Sequence, residues 1–349
     1  MACGTGKLKM KIAPGPRRPT VFVSSGGSKM LKTKKAEPKI EVRQKGGTSR
    51  LTQLRRELPY FIMMLLPTVF FLLFKYWPMF GIAIAFQNYR IGDPFISLSS
   101  RWVGLKWFKQ FVSNAYFTRY VRNTLALSLL NMFISFPISI LFALLLNEVR
   151  VRWMRKFVSN VSLLPHFIST VVIVGVMTNF FSIDHGVANL IIEKLGGERI
   201  DFMGSADWFR TMYTGSGIWQ STGFNAVVFT AAIAGIDPNL YEAAALDGST
   251  RLKNIIHITL PCILPTVIIM FLLKIGSLMS VGYEKIILMY SPLTYETADV
   301  LSTYSYRVGI TEQKYSLSSA ISLMNSICNI TLLLLANRIT RKVSETSLW

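Results

Sequence analysis

Six long apolar runs, at roughly 60–83, 123–146, 159–181, 214–235, 260–282 and 316–336, constrain this 349-residue chain more than any other feature. Each reaches the ~20 residues that a hydrocarbon core of about 30 Å demands. Inside such a core, every backbone N–H and C=O must be satisfied by the protein itself, which leaves helices or a closed barrel. A barrel would need strands of about ten residues with alternating polarity, and these runs do not alternate. The expected fold is therefore an all-α integral membrane protein with six transmembrane helices. Composition agrees, since 16% of residues are charged against about 25% in a soluble domain. Lys75 and Lys274 interrupt the first and fifth runs. A lysine at mid-span costs roughly 2.5–3.5 kcal/mol, so both should snorkel or face protein or water.

The net charge of +20 raises the question of nucleic acid, and its distribution answers no. Residues 1–58 hold 15 Lys and Arg against 3 acidic residues. Arg150, Arg152, Arg155 and Lys156 follow in the next connector on that side, then Arg251 and Lys253, then Arg338, Arg341 and Lys342. If the spans alternate, one side carries 24 basic residues and the other 10. The positive-inside rule then places both termini in the cytoplasm, together with the loop between spans four and five. The basicity reads as topology plus attraction to anionic membrane lipid. Residues 1–50 are rich in Lys, Gly, Ser and Pro and read as a disordered cytoplasmic tail. Residues 51–349 form the six-helix domain, with loop 236–259 inside it. Connectors of about 30 residues leave no room for a separate enzymatic domain.

That loop carries the most specific pattern in the chain. Asp237-Pro238 signals a helix start. Asn239–Leu246 is helix-forming, Gly248 ends or bends it, and a second helical stretch, Ser249–Ile258, leads to Leu260-Pro261. Glu242, Ala243, Ala244, Gly248, Ile258, Leu260 and Pro261 fit a fixed spacing: Glu-Ala-Ala, three free positions, Gly, nine free, Ile, one free, Leu-Pro. Seven such positions coincide by chance on the order of 10⁻⁸ per starting point. The pattern resembles the coupling loop of permease subunits in binding-protein-dependent ABC importers. The resemblance runs from about residue 55 to the carboxyl terminus. It is nearest the carbohydrate branch, through Val103-Gly104-Leu105 with Phe108, Gly282-Tyr283-Glu284-Lys285 and Pro292–Thr297. The basic tail before residue 50 departs from that pattern.

The resemblance implies a type I importer of the maltose-type permease fold that moves oligosaccharide by alternating access. Its partners would be a second permease subunit in a heterodimer, two ATP-binding cassette ATPases and an extracellular solute-binding lipoprotein. The coupling residues would be Glu242, Ala243, Ala244, Asp247, Gly248, Ile258, Leu260 and Pro261. ATP and Mg would belong to the ATPase partners, with no cofactor and no catalysis in this chain. The residues agree: there is no phosphate-cradling Gly-x-x-x-x-Gly-Lys-Ser/Thr run, and His166, His185 and His257 are isolated, without metal-ligand spacing. Cargo of another class, peptide or amino acid, stays open. So does a polytopic enzyme acting on lipid-linked sugar, although the chain lacks the acidic or His cluster it would need.

A sugar path calls for aromatic faces, amides and hydroxyls inside the bundle, where polar groups are costly against lipid. Candidates are Trp219, Gln220 and Asn225 in span four; Ser277, Ser280, Tyr283 and Glu284 in and beyond span five; and Asn325 in span six. Interhelical hydrogen bonding, worth about 0.6–2 kcal/mol each, is the competing role. Gly215, Gly217, Gly223 and Gly276 read as close-packing positions.

Overall fold

A computed structural model describes residues 50–93 and 101–343. The expected basic tail, apart from Arg50, lies outside them. The chain divides into two units, one ending at Lys75 and one beginning at Tyr76. The first holds α1 (Arg50–Phe71) and most of a wide π turn, Leu72–Tyr76. Its large apolar side chains from Leu58 to Phe74 are exposed, a liability in water but not in hydrocarbon.

The second unit opens with a 3-10 run, Trp77–Phe86. It continues through α2 (Lys106–Val112), α3 (Phe117–Leu130), α4 (Phe136–Glu148), α5 (Arg152–Leu163), α6 (Thr170–Phe180), α7 (Val187–Lys194) and α8 (Ala206–Ala234). Then come α9 (Pro238–Leu246), α10 (Arg251–Asn254), α11 (Leu260–Gly276), α12 (Tyr283–Met289), α13 (Tyr295–Ala298), α14 (Leu301–Tyr306) and α15 (Tyr315–Val343). No strand forms among the described residues beyond one isolated bridge, Gln87 to Trp102. The all-α expectation holds.

Four helical runs are long and apolar enough to cross a membrane: Glu57–Phe86, Phe117–Glu148, Arg251–Gly276 and Tyr315–Lys342. The run expected at 214–235 lies in α8. Its 29 residues would extend about 43 Å at 1.5 Å each. Its Trp219–Asn225 stretch is polar, and α8 is not among those four. The run expected at 159–181 is broken. Helices α5 and α6 meet at 98° because Pro165 starts a tight turn, Leu164–Phe167. Ser169 then caps α6 by accepting from Val172 N. The fifth run stops at Gly276, short of the expected 282.

Elsewhere proline does not stop a helix. Three π turns end two residues before a proline: Leu72–Tyr76 before Pro78, Asn131–Ser135 before Pro137, and Ile255–Thr259 before Pro261. Phe136 N donates to Asn131 O and Leu260 N to Ile255 O. The wider turn removes the clash between the proline ring and the carbonyl four residues back.

Two of the four expected close-packing glycines are confirmed. A Cβ on Gly223 would collide with Ser162 O, where α8 crosses α5, and one on Gly276 would lie 3.3 Å from Leu333. Gly215 has open space and Gly217 only polar side-chain tips at 3.8 Å, so neither is a contact between helix backbones. Below the crossing, Phe136, Ala143, Phe229, Ile233 and Ile263 pack α4, α8 and α11 together. Toward the other end of α8, the segment after α11 plants Met279 in one buried cluster with Phe111 and Leu317, and Val281 in another with Phe209 and Ile286.

Candidate functional site

The loop after α8 forms an elbow. Asp237 caps α9 by accepting from Asn239 N at 3.0 Å, with Pro238 in the first turn. The helix ends in a Schellman arrangement: Ser249 N donates to Ala244 O and Gly248 N to Ala245 O. Gly248 takes φ +72°, the left-handed conformation that glycine adopts without penalty. Nothing on α9 is buried. Glu242, Ala243 and Asp247 are exposed, and Leu246 is 90% exposed. The second stretch is not a separate short helix as expected. From Arg251 the chain runs unbroken through the π turn into α11, so Ile258, Leu260 and Pro261 belong to one continuous rod. The hydroxyls of Tyr241 and Thr259 meet at 2.8 Å and tie α9 to that rod.

At the far end of α11 the helix gives way to six non-helical residues, 277–282, before α12. Three helices hold this break. Ser128 of α3 donates to Leu278 O. Ser302 of α14 donates to Val281 O at 2.6 Å. Asn329 of α15 accepts from Met279 N at 2.8 Å and donates to Ser280 Oγ at 2.7 Å. Non-helical backbone at membrane depth is tolerated only where protein or a water-filled cavity satisfies it, and transporters place binding sites at such breaks.

Two cavities abut the break. A groove of about 440 Å³ runs between α14 and α15. Tyr283 and Tyr306, stacked at 5.1 Å, line it together with Ser302, Ser305, Ser318, Ser322, Asn325 and Ser326. Asn325 Oδ1 is buried with no partner among the described residues. The second cavity, about 150 Å³, is lined by Ser128, Asn131, Tyr213, Lys274, Ser277 and Ser280 among others. Lys274 thus faces a polar cavity instead of snorkelling. Lys285 of α12 donates to Tyr213 O at 3.3 Å and lies over the Tyr213 ring.

The expected pathway residues do not form one cluster. Ser277 and Ser280 line the smaller cavity, and Tyr283 and Asn325 the groove. Trp219 borders an apolar pocket with Val172, Met177 and Phe181. Gln220 donates to Ile168 O at 3.4 Å, Asn225 is half-buried on α8, and Glu284 is exposed. The groove serines were missed, although Ser318, Ser322 and Ser326 recur every four residues, the spacing that aligns one helix face.

Beyond the break, residues 283–314 fold onto the ends of α3 and α8. Asp299, fully buried, accepts from Arg307 at 2.9 Å and from Thr303 at 2.8 Å, with Arg119 at 3.8 Å. Desolvation would lower the Arg307 pKa, but the hydrogen bond and charge of Asp299 outweigh it and raise it. Asn123 donates to the carbonyls of Glu296 and Asp299 and accepts from Arg210 of α8.

Long apolar helices, a held break and an exposed elbow define a helical, multi-pass membrane component of a transport system. Residues 135–345 match the family described as binding-protein-dependent transport system inner membrane component, and the chain belongs to that family. It is 40% identical over 304 residues to Protein LplB of Bacillus subtilis (strain 168), covering 87% of this chain and 95% of that one. It is also 40% identical to the polygalacturonan/rhamnogalacturonan transport system permease protein YteP of the same organism, covering 83% and 90%. A chain in the crystal structure of a bacterial alginate ABC transporter, in complex with alginate pentasaccharide-bound periplasmic protein, superposes with a TM-score of 0.77. It is 38% identical, over 86% of this chain and 100% of that one. The chain is a transport component, not an enzyme.

Proposed function

We propose that the chain is one permease subunit of an ATP-driven importer for oligosaccharides, paired with a second, related permease. Two ATPase subunits bind ATP and Mg, and an extracellular binding protein delivers the sugar. The observation that carries this reading is the Glu242–Gly248 signature standing on an elbow whose helix buries none of its residues. Glu242 offers a carboxylate, Ala243 and Ala244 leave room for a partner's surface, and Leu246 is an apolar tip with nothing of its own to cover it. Closure of the ATPases pushes the elbow. The Tyr241–Thr259 brace and the unbroken Arg251–Gly276 rod carry the push to the break at 277–282.

Arg150, Arg152, Arg155 and Arg251 gather in one open cavity at the elbow end. This supports a cytoplasmic elbow and cytoplasmic termini by the positive-inside rule. The groove lined by tyrosines and serines supports a saccharide cargo: stacked rings match apolar sugar faces, and hydroxyls and Asn325 Oδ1, unpartnered among the described residues, match sugar hydroxyls. The named relatives that carry sugar polymers support the same cargo.

The test is Gly248→Asp in the complete importer. No atom of this chain obstructs a side chain there, so the variant is expected to insert, and its amount in the membrane is measured alongside uptake. The left-handed backbone costs a non-glycine residue about 1–2 kcal/mol, which shifts the elbow. Sugar uptake is expected to collapse while ATP hydrolysis persists. Undiminished uptake, or labelling that puts a cysteine at this position outside the cell, would sink the assignment.

A further inference from the structure

Four guanidinium groups share the open cavity at the elbow end. It measures about 540 Å³ and is lined by Arg150, Arg152, Arg155 and Arg251, with Glu148 as the one carboxylate in its wall. The ion pairs among the described residues are Arg119–Asp299, Arg199–Glu193, Arg307–Asp299 and Lys314–Glu312, so none of these four arginines is paired, even with Glu148. Arg150 lies in the connector after α4, and Arg152 and Arg155 lie in the first turn of α5. Arg251 is the first residue of the rod that runs into α11. The cavity therefore joins a connector to the foot of the helix that carries the elbow's push.

Both helices leave this cavity with apolar side chains bare. Helix α5 buries none of its residues. Its Trp153, Phe157 and Val161 are exposed at four-residue spacing, which aligns them on one side. The Trp153 and Phe157 rings stack at 5.5 Å. Along the rod, Leu252, Ile256, Leu260 and Leu264 are exposed as well. Bare apolar stripes on membrane helices suit hydrocarbon, and cations and tryptophan collect where hydrocarbon gives way to headgroups. The arginines stand at that boundary, ahead of the apolar residues in both helices. An acidic patch on a partner protein fits less well, because the face that this chain leaves open toward a partner is α9, with Glu242 and Leu246.

We propose that the cavity is a site for the headgroup of one anionic phospholipid, whose phosphate is gripped by Arg150, Arg152 and Arg155 from the connector side and by Arg251 from the rod. Guanidinium forks match phosphate oxygens in geometry and charge. A phosphate there neutralises like charges that otherwise repel, and it ties the connector to the foot of the rod. The grip stands on the membrane fold alone. Its consequence rests on the importer reading: a rod steadied at its foot delivers the ATP-driven stroke best in an anionic membrane.

The test uses the complete importer purified in detergent. Short-chain phosphatidylglycerol and phosphatidylcholine are the probes, inorganic phosphate is the competitor, and native mass spectrometry counts bound lipid. Phosphatidylglycerol is expected to bind, phosphatidylcholine to bind about tenfold more weakly, and inorganic phosphate at equal concentration to leave the bound lipid in place. Arg152→Gln, Arg155→Gln and Arg251→Gln should each lower phosphatidylglycerol affinity about fivefold, the worth of one cation at an anionic headgroup. Lysine at the same positions should restore most of it. Lys156→Gln, beside Arg155 but outside the cavity, should change it less than about twofold. In nanodiscs, binding-protein-stimulated ATP hydrolysis should run faster in an equal mixture of the two lipids than in phosphatidylcholine alone, and the variant carrying both Arg152→Gln and Arg155→Gln should lose that difference. Unchanged phosphatidylglycerol affinity in this double variant overturns the site. An equal loss with Lys156→Gln also overturns it, because the attraction is then diffuse surface charge. Displacement of the lipid by inorganic phosphate marks a soluble anion as the occupant, and release of the ATPase subunits by the double variant marks a protein contact; either overturns the lipid assignment. ATP hydrolysis that ignores the binding protein in both lipid compositions overturns the importer reading and leaves the headgroup site standing.

Discussion

The two ends of α8 are built on opposite plans. At its start, residues 283–314 fold back into the body, and several of their polar groups bond to α3 and α8. Asp299 holds two arginines, Asn123 holds two carbonyls, and Thr297 donates to Ala206 O at the head of α8 itself. At its finish, the elbow 238–249 buries nothing and keeps Leu246 bare. The Tyr241–Thr259 hydroxyl pair fastens it to the helix that follows. A segment that satisfies its own polar groups is part of the body. A segment that satisfies its caps and leaves its face open is a surface for another protein.

The contrast breaks first at Asp299. Asp299→Asn leaves Arg119 and Arg307 facing one another without a carboxylate. Breaking a buried pair by removing one partner costs about 3–5 kcal/mol. Both arginines are about a quarter exposed, 27% and 26%, so about 3 kcal/mol is expected. The measurement is thermal unfolding of the assembly in lipid nanodiscs, with a marked drop in the midpoint. An unchanged midpoint would mean that the connector is not part of the body, and the two ends of α8 would no longer differ in kind.

A smaller effect is expected at the brace. Tyr241→Phe removes one hydroxyl and one hydrogen bond, worth about 1 kcal/mol. The fold survives, and the elbow loosens from the α11 rod. Sugar moved per ATP hydrolysed should fall while hydrolysis continues. If the ratio is unchanged, the push travels through the α8 end of the elbow instead.

The same contrast governs what could be read from sequence. Apolar runs and the elbow signature are local patterns, and both were legible in residue order. The breaks were not, because one residue type has two outcomes. Pro165 ends a helix, with Ser169 capping the next one, whereas Pro261 sits inside a helix because the π turn at Ile255–Thr259 absorbs it. The choice depends on backbone outside the proline itself. The Asp299 cluster draws on residues 119, 299 and 307, brought together only by the tertiary fold. The groove serines were visible at four-residue spacing, but they lie in a run that reads as a span first. Lys274 was flagged as costly, and its setting beside Tyr213 and Asn131 had to come from the packing.

The smallest effect on the chain itself is expected at Leu246. Its side chain touches so little of this subunit, at 90% exposure, that Leu246→Ala should change stability by less than about 0.5 kcal/mol. An apolar tip that seats in a partner's pocket loses more than about 1 kcal/mol of binding when truncated, close to tenfold in affinity. The two readouts therefore separate: an unfolding midpoint that stays put, and ATPase subunits that dissociate from the permease pair on dilution. If the ATPases stay bound with wild-type affinity, Leu246 is an ordinary exposed leucine, and the openness of the elbow would owe nothing to a partner at that position. If stability falls instead, the elbow is packed in the membrane-embedded assembly, and the distinction between the two ends of α8 is one of degree.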